Sequence, residues 1–125
     1  MAIGVMIDHL AVPTKDARQS ALFLALILGL PVSRDGADDE FYCLRLDAGA
    51  QILFTETQEK ITPVHFALRV SKEGFDAVVQ RLRAQNLRYG NDPENVDNGE
   101  TTDPLGGHGR VYFASADGHL FEVCA

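Results

Sequence analysis

The sequence predicts an α+β fold made of two similar halves, each a strand, a helix and a strand hairpin. Three observations predict it. Apolar residues alternate in short runs and then recur at helical spacing, that order is run through twice, and the hexapeptides IDHLAV (7–12) and PVHFAL (63–68) open the two passes.

The stretch from Ile3 to Val12 is rich in Ile, Val, Leu and Met and ends at Pro13, which predicts a strand closed by a residue unable to donate to a ladder. Thr14 offers an N-cap with Asp16 in the first turn, and Ala17 to Leu28 runs without a breaker to Gly29, which predicts a helix. Phe41 to Asp47 and Ala50 to Thr55 read as strands joined at Asp47-Ala48-Gly49.

The pattern then restarts. Val64 to Val70 is apolar and β-prone. Ser71 can cap a helix whose Phe75, Val78, Val79 and Leu82 recur at i, i+3, i+4 and i+7. Val111 to Ala114 and Leu120 to Val123 flank Ala116-Asp117-Gly118, a second hairpin, and weaker strands are expected around Leu30 to Ser33 and Leu87 to Tyr89. His9 aligns with His65 and Ala11 with Ala67, so a duplication is the expected origin. The second half is longer mainly through a polar, Pro- and Gly-rich stretch from Gly90 to Gly109, a loop whose length suggests a functional lid or disorder.

At 125 residues the chain is expected to be a single domain, 1–125, with one module at about 1–60 and the other at about 61–125. A hydrophobic fraction of 46% argues against wholesale disorder. The net charge of −7, with no basic stripe, argues against nucleic acid or an anionic membrane as partner and favours a small molecule or a protein. Cys43 and Cys124 lack a CxxC pairing, which suggests free thiols in a reducing compartment. No secretory signal is evident, and the apolar run from Ala21 to Leu30 is too short to span a bilayer, so the cytoplasm is expected. In the first helix, Leu22, Phe23, Leu26 and Ile27 add apolar surface beyond the stripe of Ala21, Leu24, Ala25 and Leu28, which predicts a homodimer.

Three residues stand in related places: His9 and His65 in the first strands of the halves, and Glu122 in the last strand. Alternation puts Leu10 and Val12 opposite His9, Phe66 and Leu68 opposite His65, and Phe121 and Val123 opposite Glu122. If the helices cover the apolar faces, all three polar side chains look the other way, to the concave side of a curved sheet. Two imidazoles and a carboxylate suit a divalent metal with open positions, Fe above all but also Mn, Ni, Co or Zn. Taken singly, a strand histidine is more often structural.

IDHLAV followed by a helix, VHFALRV followed by another, and the closing VYFASADGHLFEV together resemble the vicinal oxygen chelate superfamily of glyoxalase I, bleomycin resistance proteins, fosfomycin-modifying transferases and type I extradiol dioxygenases. The resemblance covers essentially the whole chain. The closing segment, with Ser115-Ala116 in place of the usual Asp-Pro, is its most specific part. It implies paired βαβββ modules forming a cup-shaped mixed sheet with helices outside, and places His9, His65 and Glu122 on metal-ligand positions. The fourth ligand position of glyoxalase-type members falls on Leu53, which cannot ligate, and Glu56 would have to slip register to replace it. Tyr112 matches a tyrosine kept near the metal, where a phenol can hydrogen-bond a ligand oxygen.

The resemblance implies a small metal-dependent enzyme binding its substrate through vicinal oxygens, with dioxygenase and glyoxalase, lyase or transferase chemistry both open. The alternative is a metal-free drug or metabolite binder of the bleomycin resistance type. His108, by its place in the loop, is a candidate for the catalytic histidine that a dioxygenase keeps near the metal without binding it. His119 reads as a turn or surface residue; Arg69, on the His65 face, reads as a partner for an anionic substrate or as one half of a rim salt bridge, and Arg110 is open between the same two roles. GGHG at 106–109 has no Lys-Ser/Thr after it and is not a P-loop.

Overall fold

The computed structural model describes residues 1–36 and 40–125. It divides into two compact units: Met1–Ala25 with Leu30–Ile61, and Leu26–Gly29 with Thr62–Ala125. The fold class is α+β, with a four-stranded sheet in the first unit and a three-stranded sheet in the second.

The first unit carries β1 (His9–Thr14), α1 (Ala17–Leu28, its last turn grouped with the second unit), β2 (Ser33–Asp35), β3 (Phe41–Arg45) and β4 (Gln51–Glu56). The strand order is β1-β4-β3-β2, with β1 parallel to β4 and the other pairs antiparallel. The β1 strand begins at His9 rather than Ile3, because its partner β4 begins opposite it at Gln51 and a strand needs a ladder to join. Ile3, Val5, Met6 and Ile7 are exposed as a result. Pro13 lies inside β1 instead of closing it, which an edge strand tolerates because one side of its backbone needs no donor.

Asp16, not Thr14, caps α1, accepting from Gln19 N at 3.0 Å. Thr14 is buried at the end of β1 and donates to the Thr55 carbonyl at 2.8 Å. Val12, Leu44, Ile52 and Phe54 share one sheet face by register, and these with Ala17, Ala21, Leu24 and Ala25 of α1 are buried as the core of this unit. Leu22 and Leu26 of α1 are 40% and 51% exposed, whereas Ile27 is buried.

The second unit carries β5 (His65–Arg69), α2 (Lys72–Ala84), β6 (Arg110–Ala114) and β7 (Leu120–Cys124), ordered β5-β7-β6. Ser71 caps α2 by accepting from Gly74 N at 3.0 Å. The helix ends where Asn86 takes a left-handed φ of 55° and Leu87 N reaches back to Leu82 O at 3.0 Å, a Schellman-like stop made by asparagine. Phe75, Val78, Val79 and Leu82 are buried, as are Val111, Phe113, Phe121 and Val123 on one sheet face. Phe121 is the centre of that packing, with ring centroids of Phe66 and Phe113 at 5.2 and 5.7 Å.

Of the two weaker strands expected, one forms as β2, slightly later than expected, and the other shrinks to a single bridge. Gly90 pairs with Tyr112, Tyr112 N donating to Gly90 O at 2.7 Å. Pairing goes no further because the chain turns sharply there: a Cβ on Gly90 would run into the Asn98 side chain and the Asn95 carbonyl at 2.8 Å. The loop beyond Gly90 is tied to itself. Asn98 Nδ2 donates to Asn91 Oδ1 at 2.9 Å, Asn91 Nδ2 to Thr102 O at 2.9 Å, and Arg110 N to Thr101 O at 3.1 Å.

Candidate functional site

Cross-strand register decides which side chains can meet. In the second unit Ala67 is opposite Glu122, and Glu122 is opposite Tyr112. The face turned away from Phe121 and Val123 therefore carries His65 and Arg69 of β5, Glu122 of β7, and Arg110 and Tyr112 of β6. Alternation placed His65 and Glu122 on a common face in the sequence, and the sheet brings their side chains together: His65 Nε2 and Glu122 Oε1 lie 2.8 Å apart. The His65 side chain is half exposed and that of Glu122 is buried.

The second carboxylate oxygen of Glu122 accepts from Arg110 Nη1. Arg110 Nε donates to Asp103 Oδ1 at 2.9 Å, so one guanidinium divides its donors between a loop carboxylate and a strand carboxylate. Asp103 is further held by Leu105 N at 2.9 Å and Gly107 N at 3.0 Å. The arginine hydrogen bond, reinforced by the Leu105 amide, keeps the Asp103 carboxyl below the ordinary carboxylate range. Both carboxylates in turn hold the Arg110 guanidinium firmly in its charged form, the Asp103 bond contributing most. Gly107 is needed at its position, since a Cβ would strike the Asp103 carboxylate and the Ala125 carbonyl at 2.6 Å.

Tyr112 is buried, and its ring lies beside His65 with centroids 5.8 Å apart. Burial, then the neighbouring Glu122 charge, raises its phenol above the ordinary tyrosine value, so it is a protonated donor at neutral pH. Arg110 and Tyr112 border a cavity of about 380 Å³ whose other walls come from the loop. Pro93, Pro104 and Leu105 give it apolar surface, while Asn91 and Asn98 are engaged in the bonds that fold the loop.

His9 belongs to the first unit. Its Nδ1 lies 2.8 Å from Asp8 Oδ2, in an exposed pair. Leu53 sits opposite Ala11, on the His9 face, so the position that would supply a further ligand in that unit carries a side chain with no donor atom. Glu56 sits on the other face, with Oε1 accepting from Ala17 N at 3.2 Å at the start of α1, and its role is to hold that helix end. On the His9 face, buried Gln51 Oε1 and Ser33 Oγ have no hydrogen-bond partner among the described residues. Among the described residues no group of three or more His, Cys, Asp or Glu side chains is gathered as a metal site.

Two expectations about histidines are corrected. His119 is buried, not on the surface: its Nδ1 accepts from Val64 N at 3.0 Å, locking the start of β5 to that of β7. His108 leaves the site and pairs with Asp76 Oδ1 of α2 at 2.9 Å, its ring edge-on to Phe75. Sequence reasoning left the role of Arg110 open. Its alternation with Val111 was the signal, because that puts Arg110 on the face of Tyr112 and Glu122. Asp103 had no such signal, being one of several acidic residues in a polar loop.

The donor set can be tested against a divalent cation on this geometry. Two donor atoms 2.8 Å apart can both lie about 2.1 Å from one ion, the bond length that nitrogen and oxygen ligands give. Asp8 against His9 Nδ1 is the carboxylate–histidine arrangement that leaves Nε2 as the ligating nitrogen. His65 and Glu122 fit a cation. Arg110 on Glu122 lowers the charge they offer to it.

Comparison with known proteins agrees with this architecture. Among curated proteins no match is found. The solved structure of oxidase ChaP-H2 is 34% identical, covers 97% of this chain and 93% of its own, and superposes with a TM-score of 0.87. Oxidase ChaP-H1 is 31% identical, with coverage of 96% and 94% and a TM-score of 0.86. A glutamate-to-glutamine variant of the fosfomycin resistance protein FosX from Listeria monocytogenes, solved with Mn(II) and a dihydroxypropylphosphonic acid, shares the fold at 23% identity, with coverage of 100% and 93% and a TM-score of 0.66. The family model described as Glyoxalase/Bleomycin resistance protein/Dioxygenase superfamily matches residues 6–123, and the chain belongs to that superfamily.

Proposed function

We propose that the chain is a small metal-dependent oxidative enzyme, in which His9, His65 and Glu122 hold a divalent cation and the cavity beside Arg110 and Tyr112 takes an oxygen-bearing small molecule. The observation that carries this reading is the approach of His65 Nε2 to Glu122 Oε1 at 2.8 Å, on the sheet face that Arg110 and Tyr112 share. Likeness to two solved oxidases at 34% and 31% identity supports the oxidative branch, with dioxygen as oxidant, over glyoxalase or transferase chemistry. A bound cation of this kind supplies Lewis-acid polarisation of substrate oxygens and, as Fe(II), activation of dioxygen.

The residues of the chain do the rest. His65 and Glu122 orient the site from adjacent strands. Tyr112 donates its phenol proton to an oxygen of the bound substrate, and burial keeps that proton in place. Pro93, Pro104 and Leu105 offer apolar surface to the substrate's apolar part. The chain works as one domain and, through outward-facing Leu22 and Leu26, pairs as a homodimer. Sedimentation at micromolar concentration tests the pairing, and a clean species of 13.7 kDa refutes it. Among the described residues no helix is long and apolar enough to cross a membrane.

One observation favours a second reading, a metal-free binder of a drug or metabolite: Glu122 already has a cationic partner in Arg110. Elemental analysis separates the two. After loading with Fe(II), Mn(II), Ni(II) or Zn(II), the wild type should retain stoichiometric metal, and His65→Ala and Glu122→Ala should lose it. Equal, negligible retention by all three would leave the binder.

A further inference from the structure

We infer that Arg110 is a positioning residue that yokes the loop wall of the cavity to Glu122, so that cation binding at His65 and Glu122 and ordering of the loop strengthen each other. The inference rests on the proposed metal site for its first half, and on contacts within the second unit for its second.

The guanidinium is buried, and so are both carboxylates it touches, their side chains being 3% exposed for Asp103 and 9% for Glu122. Nε faces the loop and Nη1 faces the strand. One positive charge thus stands between two negative ones, each with a further partner of its own: His65 for Glu122, and the Leu105 and Gly107 amides for Asp103. Asp103 is also the organiser of the turn after it, since its two oxygens accept the amides of Leu105 and Gly107, and Leu105 is a wall of the cavity. Whatever moves Arg110 therefore moves the hold on that wall.

The direction is set by charge. A cation at Glu122 repels the guanidinium and competes for the carboxylate, so Arg110 gives more of its hydrogen bonding to Asp103 and the 103–107 turn tightens. Coupling between two sites is reciprocal. Neutralising Asp103 sends Arg110 wholly to Glu122 and weakens cation binding. Lysine keeps the charge at this position but has a single ammonium in place of the fork, so it cannot serve both carboxylates in the same geometry.

The probe is Mn(II) alone, read by calorimetry and by hydrogen exchange at the Leu105 and Gly107 amides of the full chain, with thermal melts checking that each variant folds. Asp103→Asn should weaken Mn(II) binding about tenfold, within the usual range of intersite coupling. Mn(II) should slow exchange of the two amides in the wild type and leave them unchanged in Arg110→Lys. Without any metal, Glu122→Gln removes the rival acceptor charge and should slow the same amides relative to wild type. A purely structural role for Arg110 would loosen the loop on substitution but leave Mn(II) affinity indifferent to Asp103. Unaltered affinity in Asp103→Asn, or exchange in Glu122→Gln that is no slower than wild type, overturns the yoke. If the wild type binds no Mn(II), the metal reading fails on its own, and the Glu122→Gln exchange still decides whether Arg110 couples strand to loop. Should Asp103→Asn not fold, the wild-type and Glu122→Gln measurements carry the test.

Discussion

The two units run through a common order of strand, helix and hairpin, yet they differ in what their polar faces hold. In the second unit His65 meets Glu122, and Glu122 meets Arg110, which reaches Asp103 in the loop. In the first, His9 pairs with its chain neighbour Asp8, and Leu53 stands on the face where the second unit has its glutamate. The connections differ likewise. A short connection leads from α1 to β2, whereas α2 is succeeded by a stretch that never becomes a strand and builds a cavity wall instead. Repetition of a scaffold thus fixes where side chains can point, while the linked polar contacts from His65 to Asp103 gather in one copy.

The largest expected effect comes from breaking the denser network. Glu122→Ala leaves the buried Arg110 with only Asp103 and should destabilise the chain by roughly 3–5 kcal/mol, the usual penalty for removing one partner of a buried ion pair. Urea titration measures it. Glu122→Gln, which keeps an acceptor, should cost clearly less. His119→Ala comes next, because it strips the acceptor from the Val64 amide and opens a void beside Phe121; about 1–3 kcal/mol is expected from the unpaired donor alone. An unchanged melting curve would place His119 outside the core.

The comparison can be sharpened by making the units more alike. Leu53→Glu puts a carboxylate on the His9 face and should raise cation retention, at a stability cost of about 1 kcal/mol, typical of a point substitution. Competition against a chelator would show it, and retention equal to wild type would mean that His9 and Leu53 do not share a site. Acid titration probes the network of the second unit. The Asp103 carboxyl is lowered in the folded state, so its contribution is present above the ordinary carboxylate pKa and disappears as the pH falls through its lower folded value. Asp103→Asn should flatten the acid limb of the stability profile. The smallest effect belongs to His9→Gln, which loses an exposed pair and should change stability by less than about 0.5 kcal/mol.

Much of this contrast was readable in the residues. Alternation in HFALR and LFEVC sufficed to put His65 and Glu122 on one face, because register and pleat leave a strand only two faces. The capping serine at 71 and the four apolar positions of α2 were equally plain. The start of β1 was not, since Ile3 to Ile7 are as β-prone as His9 to Thr14 and only the absence of an opposing β4 backbone stops the ladder. Nor was the loop legible. Its order comes from asparagine and aspartate side chains meeting backbone N–H and C=O groups several residues away, contacts with no periodicity. Arg110 lay between these cases: its face could be read from its strand, but its partner in the loop could not.

The most direct measurement is a calorimetric titration of Mn(II) into the wild type and into His9→Ala, His65→Ala and Glu122→Ala in parallel. A three-residue cation site predicts saturable binding by the wild type that each single substitution abolishes or weakens severely. Binding by His65→Ala and Glu122→Ala indistinguishable from wild type would contradict it.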